Sequence, residues 1–138
     1  EMSLKELYDV YDLVVQLYCE LDYDEFEDLI YDMRDRYKMF GILEKEELVA
    51  FAGVSIETNL SKKRYILIHD LVTDHNHRGK GYARLMLEFI NDYAKTASCH
   101  YIIASTGAKQ DGGCNFYENA GFLKTDILFL KHIQWEIF

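Results

Sequence analysis

Between residues 78 and 84 the chain reads Arg-Gly-Lys-Gly-Tyr-Ala-Arg, with cations at 78, 80 and 84 and glycines at 79 and 81. Such a stretch suits an anion that must be approached closely, because glycine leaves the backbone open and Arg or Lys adds full charge. Its flanks sharpen the reading. Tyr65-Ile66-Leu67-Ile68 is an apolar, strand-like run that passes through His69-Asp70-Leu71-Val72 into a short polar turn. After Gly81, the residues Leu85, Met86, Phe89, Ile90 and Tyr93 recur on one helical face. The order strand, glycine-rich turn, helix places unpaired N–H groups and the positive end of a helix dipole behind the glycines. The chemistry this predicts is phosphate binding.

Two familiar phosphate cradles do not fit. A P-loop requires Gly where this chain has Asp74, and Ser or Thr where it has Gly81. A dinucleotide fingerprint requires a third glycine at 84, which is Arg84, and an acidic residue about 20 positions on that is missing. What remains is Arg-x-x-Gly-x-Ala at 78, 81 and 83.

The stretch from His69 to Leu87 resembles the pyrophosphate-binding segment of the GNAT superfamily of N-acetyltransferases, whose pattern is Arg/Gln-x-x-Gly-x-Gly/Ala. A second block, Asn115-Phe116-Tyr117-Glu118-Asn119-Ala120-Gly121-Phe122, is similar to that family's near-C-terminal signature, in which a tyrosine precedes Gly-Phe. The resemblance covers roughly residues 40 to 133. It implies an α/β fold with a mixed, mostly antiparallel central sheet, splayed between the family's fourth and fifth strands and flanked by helices. It also implies acetyl-CoA as co-substrate and transfer of its acetyl group to a primary amine. Two alternatives accompany that reading: a non-catalytic acyl-CoA-binding or regulatory module, and a protein lysine or N-terminal acetyltransferase.

Site residues follow from the resemblance. Backbone N–H groups of Arg78, Gly79, Lys80, Gly81, Tyr82 and Ala83 would hold the pyrophosphate. Main-chain groups of Leu71, Val72 and Thr73 would pair with the pantetheine arm, and Gln110 stands where the family usually has an Asn touching that arm. Tyr117 matches the family's general acid; a phenol with a reference pKa near 10 is protonated at neutral pH and can donate to a thiolate. In the polyamine-acetyltransferase branch, which this strand resembles, two adjacent acids occupy these positions; here the first is His69 and the second Asp70. A histidine of reference pKa near 6.5 can accept the amine's proton, and Asp70 can hold the ammonium. The two alternate along a strand, so only one faces the site unless a bulge intervenes.

The elements that must position these residues are legible in outline. Leu4, Leu7, Tyr8, Tyr11, Val14, Val15 and Tyr18 recur at helical spacing, predicting a helix over about 3–19. Asp22 with Glu25 forms a capping box for a second helix carrying Phe26, Leu29, Ile30, Met33 and Tyr37. In the family this helical pair borders the acceptor groove, so Tyr18, Tyr23 and Tyr31 are candidate contacts. The family normally begins with a strand ahead of these helices, which either lies outside the sequence or is lacking in this member. Strands are predicted over 40–43, 48–56, 65–73, 100–105 and 126–133, a helix over 81–97, and a short helix over 114–119 ended by Gly121.

With 138 residues, a single domain spanning 1–138 is expected. The net charge of −9, from 24 acids against 15 bases, argues against a nucleic-acid partner and suits either solubility or a small cationic substrate. Cys19, Cys99 and Cys114 lack metal-like spacing and read as free thiols in a reducing cytoplasm; no metal is expected, and Cys114 is a poor candidate nucleophile. His75 and His77 precede the cradle without an assigned role. No signal or membrane segment is apparent, so a soluble cytoplasmic protein is expected, with a homodimer an allowed assembly.

Overall fold

A computed structural model describes residues 1, 6–106 and 113–135. The chain falls into two compact units, Glu1–Ser105 and Thr106–Phe138. In the first unit the order is α1 (Leu7–Val14), α2 (Tyr23–Met33), β1 (Lys38–Glu44), β2 (Glu47–Asn59), β3 (Lys63–Thr73), α3 (Tyr82–Thr96) and β4 (Tyr101–Ala104). The sheet order is β1-β2-β3-β4, antiparallel in its first two pairings and parallel between β3 and β4. That is the mixed, mostly antiparallel sheet the sequence implies, with α3 as the crossover that a parallel pair requires.

The sheet carries a layer on each face. On one, Phe51, Met39, Tyr37 and Val72 join Val10, Leu13, Val14, Phe26 and Ile30 from α1 and α2 in a single buried cluster. On the other, Phe40 packs edge-on against Phe89 and Tyr93 of α3. Met39 and Phe40 thus part company as neighbours on a strand must.

The predicted first helix is shorter than its apolar stripe. Residues 2–5 lie outside the described residues, and α1 ends at Val14 because the following N–H groups tighten onto i−3 carbonyls, Gln16 to Leu13 and Leu17 to Val14. The second helix begins as its capping box requires, with Asp22 Oδ1 accepting from the Glu25 N–H at 2.8 Å. Between β1 and β2 the charged connection narrows to Lys45 and Glu46, both in the left-handed region, as a two-residue hairpin demands.

In the second unit, α4 (Gly113–Asn119) closes on a Schellman motif. The Phe122 N–H donates to Tyr117 O at 3.0 Å, the Gly121 N–H donates to Glu118 O at 3.1 Å, and Gly121 has φ +95°. The Tyr117 and Phe122 rings meet at 5.2 Å, the apolar contact that accompanies this cap. A strand over 126–133 does not form: residues 122–135 are neither helix nor strand. A strand is completed by a neighbour's N–H and C=O groups, and among the described residues none pairs with that segment.

The α2 cap gives a direct test. Asp22→Ala should lower stability by about 1 kcal/mol, and Asp22→Asn by much less, in urea denaturation.

Candidate functional site

The site is built on an irregularity in β3. Its pairing with β2 runs Val54↔Ile68 and then Gly53↔Asp70, so His69 is an extra residue opposite no partner, a β-bulge. The bulge changes the parity of the strand. Beyond it, Asp70 and Val72 point to the face of α1 and α2, where Val72 is buried, and His69 is turned to the same side. Tyr37 confirms this by touching both: its ring centroid lies 5.6 Å from that of His69, and its hydroxyl donates to Asp70 Oδ2 at 2.5 Å. The condition under which both residues could share one face is therefore met.

Asp70 is held from two sides, because Tyr18 donates to its Oδ1 at 2.5 Å. Burial first, and then the Asp70 carboxylate, push both phenols well above the ordinary tyrosine range. Gly53 makes this possible. A Cβ there would fall 1.7 Å from the Tyr37 hydroxyl oxygen, so the ring lies directly over the strand backbone. His69 in turn has its Nε2 2.7 Å from Ser55 Oγ.

Leu71, Val72 and Thr73 pair with Ala52, Phe51 and Ala50 on one side only, since the β4 pairing stops at Ile68↔Ala104. Their other edge is unpaired by any strand among the described residues. That is the splay, and it presents main-chain donors and acceptors to an extended ligand.

Past Thr73 the chain turns into the cradle. Gln16 of the α1 end ties this turn down: its Nε2 donates to Asp74 Oδ1 at 2.8 Å, and its Oε1 accepts from the His75 N–H at 3.0 Å. His77 Nδ1 lies 2.7 Å from Asp74 Oδ2, which gives this unassigned histidine a structural role. Glu47, Asp74 and His77 offer ligand atoms within 4.8 Å of one another, but the Asp74 oxygens are already engaged by Gln16 and His77. Gly79 and Gly81 take φ +82° and +84°, with nothing within 4 Å of where a Cβ would stand. Gly81 is the N-cap of α3 and no side chain caps it, so the N–H groups of Tyr82, Ala83 and Arg84 have no intrahelical acceptor at the positive end of a four-turn helix. Arg78 and Arg84 are exposed beside them. These groups fit a pyrophosphate.

Two cradle side chains are engaged elsewhere. Tyr82 donates its hydroxyl to Glu44 at the β1–β2 hairpin, and Lys80 Nζ lies 3.6 Å from the other Glu44 oxygen. Tyr82 therefore offers the cradle its N–H alone. The Tyr82 hydrogen bond holds the Glu44 carboxyl below its usual range, and Lys80 adds to that. Tyr117 lies on α4 of the second unit, its ring against Phe116 and Phe122, and burial raises its phenol above the ordinary value. Gln110 lies outside the described residues.

Sequence reasoning missed Gly53, Ser55 and Glu44 at the site, and it placed Tyr37 on the face of the second helix, which ends at Met33 before reaching it. For Gly53 a signal existed, since a glycine inside a strand marks a bulge or a close approach. For Ser55 and Glu44 there was none.

Residues 4–122 match the family model for the acetyltransferase (GNAT) family. An N-acetyltransferase of unassigned activity from Bacillus subtilis, YhdJ, is 26% identical over 134 residues, covering 95% of this chain and 94% of its own. Among solved structures, the aminoglycoside N-acetyltransferase AAC(6')-Iy in complex with CoA superposes with a TM-score of 0.84 at 14% identity, over 96% of this chain and 91% of that one. A ribosomal-protein-alanine N-acetyltransferase from Brucella melitensis gives 0.82 at 17% identity, over 96% of each chain. At such identities the likeness is one of fold, and that fold serves both small-molecule and protein acceptors. Among the described residues no helix is long and apolar enough to cross a membrane.

The tyrosine pair generates a pH prediction. Tyr37 and Tyr18 keep protons in the folded chain that the unfolded chain loses above about pH 10. Their contribution to stability is whole below that pH and is lost as pH rises toward the folded values. The urea midpoint should fall between about pH 9 and about pH 11, and should fall less in Tyr37→Phe, which has no phenol to deprotonate. Equal falls in the two proteins would remove Tyr37 from the account.

Proposed function

Because the chain belongs to the acetyltransferase (GNAT) family, an acetyl-CoA-dependent N-acetylating family, we propose that it transfers the acetyl group of acetyl-CoA to the primary amine of a small cationic molecule. The observation that carries the acceptor class is Asp70. Its carboxylate sits at the bulge, beside His69 and one residue before the open edge of β3, fixed by two phenols so that its charge is directed without rearrangement.

On this reading the pyrophosphate of acetyl-CoA binds the N–H groups of the Gly79–Ala83 segment with Arg78 and Arg84. Its pantetheine arm pairs as a strand with Leu71, Val72 and Thr73, which directs the thioester toward His69 and Asp70. Asp70 attracts the acceptor's ammonium. His69 accepts a proton from it, and the amine nitrogen attacks the thioester carbon. The C–S bond breaks, and Tyr117 is assigned the donor of the proton to the departing thiolate on the strength of its motif. Of the two protons that nitrogen sheds, one is balanced by the proton the sulfur gains and the other leaves to solvent.

Purified protein should turn over acetyl-CoA against at least one member of a panel of polyamines, amino acids, aminoglycosides and peptides, with free thiol as readout. CoA binding without turnover on any of them would favour a non-catalytic acyl-CoA-binding module, and turnover on peptides alone would favour a protein acetyltransferase. Tyr117→Phe keeps the ring and its Schellman contact but removes the donor, so kcat should fall about 10²-fold with little change in KM for acetyl-CoA. Arg78→Ala should raise that KM with a smaller effect on kcat, because its charge meets the pyrophosphate equally in ground and transition states. Wild-type turnover in the Phe variant, with chemistry rate-limiting, would sink the general-acid assignment.

A further inference from the structure

The face of β2 that carries Gly53 also carries Ser55 and Glu57, and with His69 these form a hydrogen-bonded chain. Ser55 is 1% exposed, so its hydroxyl is unavailable as a nucleophile. Its Oγ donates to Glu57 Oε1 at 2.9 Å and lies 2.7 Å from His69 Nε2. A hydroxyl has one proton, and a carboxylate can only accept. Ser55 therefore spends its proton on Glu57, and its oxygen must accept from an Nε2–H. The neutral ring then carries its proton on Nε2 and a lone pair on Nδ1. His69 is exposed, and among the described residues Nδ1 has no hydrogen-bond partner.

We propose that Ser55 and Glu57 are positioning residues that hold His69 in the Nε2–H form and so present Nδ1 as the base that takes the acceptor's proton. The identity of the proton's source rests on the acetyl-transfer reading; the tautomer does not. The step balances simply. An N–H bond of the ammonium breaks and its proton forms a bond to Nδ1, giving an imidazolium with both nitrogens protonated and a neutral amine with its electron pair free. Nε2–H stays on Ser55, whose hydroxyl relays the Glu57 charge to the cation. The proton later leaves from the exposed Nδ1 edge to water. The other charged and titratable groups around the ring do not compete for Nε2. Arg36 Nη1 lies 3.9 Å from Glu57 Oε1, Tyr37 meets the ring at a tilt of 57° with its hydroxyl already donated to Asp70, and both Asp70 oxygens are taken by Tyr18 and Tyr37.

The test is nitrogen-15 NMR of the full chain, labelled at histidine, above the imidazole titration. The wild type should show His69 protonated at Nε2, with that proton slow to exchange because it is bonded to a buried oxygen. In Ser55→Ala the slow exchange should be lost, and Ser55→Thr should restore it. Glu57→Gln, a milder change at a half-buried position, should raise the Nδ1–H fraction, because an amide N–H can donate to Ser55 and release the hydroxyl proton to Nε2. In turnover, Ser55→Ala and Glu57→Gln should each lower kcat about tenfold or more with KM for acetyl-CoA within about twofold. An unprotonated Nε2 in the wild type, or exchange as fast there as in Ser55→Ala, overturns the proposal. So does unchanged kcat in both variants when the wild type is active. Absence of turnover in the wild type would instead sink the acetyl-transfer reading, while the NMR result still decides the tautomer.

Discussion

A single extra residue in β3 organises the first unit. A strand with strict alternation would send Ile66, Ile68, Asp70 and Val72 to one face. The sheet needs Val72 in the cluster under α1 and α2, while Val54 and Ile68, paired in register, face the opposite layer. The bulge at His69 reconciles the two demands, and the polar residues at the point of change are set facing the same way. Packing on both faces of the sheet thus requires the feature that brings His69 and Asp70 together. Gly53 and Tyr37 then lock the arrangement, because the Tyr37 ring occupies the space a side chain at 53 would need.

The cradle is fastened by a different logic. Its donors are backbone N–H groups, which cannot be tuned by substitution and are useful only if held in place. Two ties do so from outside the loop. Gln16 grips the turn at Asp74 and His75, and Glu44 grips Tyr82 at the first turn of α3. Both partners lie far away in sequence, just past α1 and at the β1–β2 hairpin. The glycines supply left-handed backbone and open space, and the distant polar side chains supply the rigidity that glycine forfeits.

What could be read from the sequence was what is local. The Asp22 N-cap bond to the Glu25 N–H and the Gly121 C-terminal cap are contacts over three to five residues, and both form as spacing predicts. The spacing of Tyr117 to Gly121 and Phe122, which resembles the family signature, is also the spacing of a Schellman motif, so part of that signature is helix termination rather than chemistry. Strand pairing is not local. The apolar run at 126–133 has the composition of a strand, yet composition does not supply a partner, and no strand forms there. The candidate site divides the same way. His69, Asp70 and the cradle were visible as a contiguous stretch, whereas Tyr37, Ser55 and Glu57 reach it only through β2–β3 register and the approach of the chain after α2.

The acetyl-transfer reading sets an electrostatic problem, since one small unit must hold an anionic cofactor and attract a cationic acceptor. The geometry of β3 separates the two demands. From Asp70 to Thr73 the strand advances roughly 10 Å, and the cradle begins only after a further turn. At physiological salt the screening length is about 8 Å, so an exposed acid more than that distance from the cradle barely weakens a pyrophosphate held there. Within the cradle itself Glu44 offsets Lys80, which leaves Arg78, Arg84 and the helix N-terminus as the attraction the pyrophosphate meets. The net charge of −9 is compatible with a phosphate ligand because three strand residues and a further turn separate the Asp70 carboxylate from the cradle.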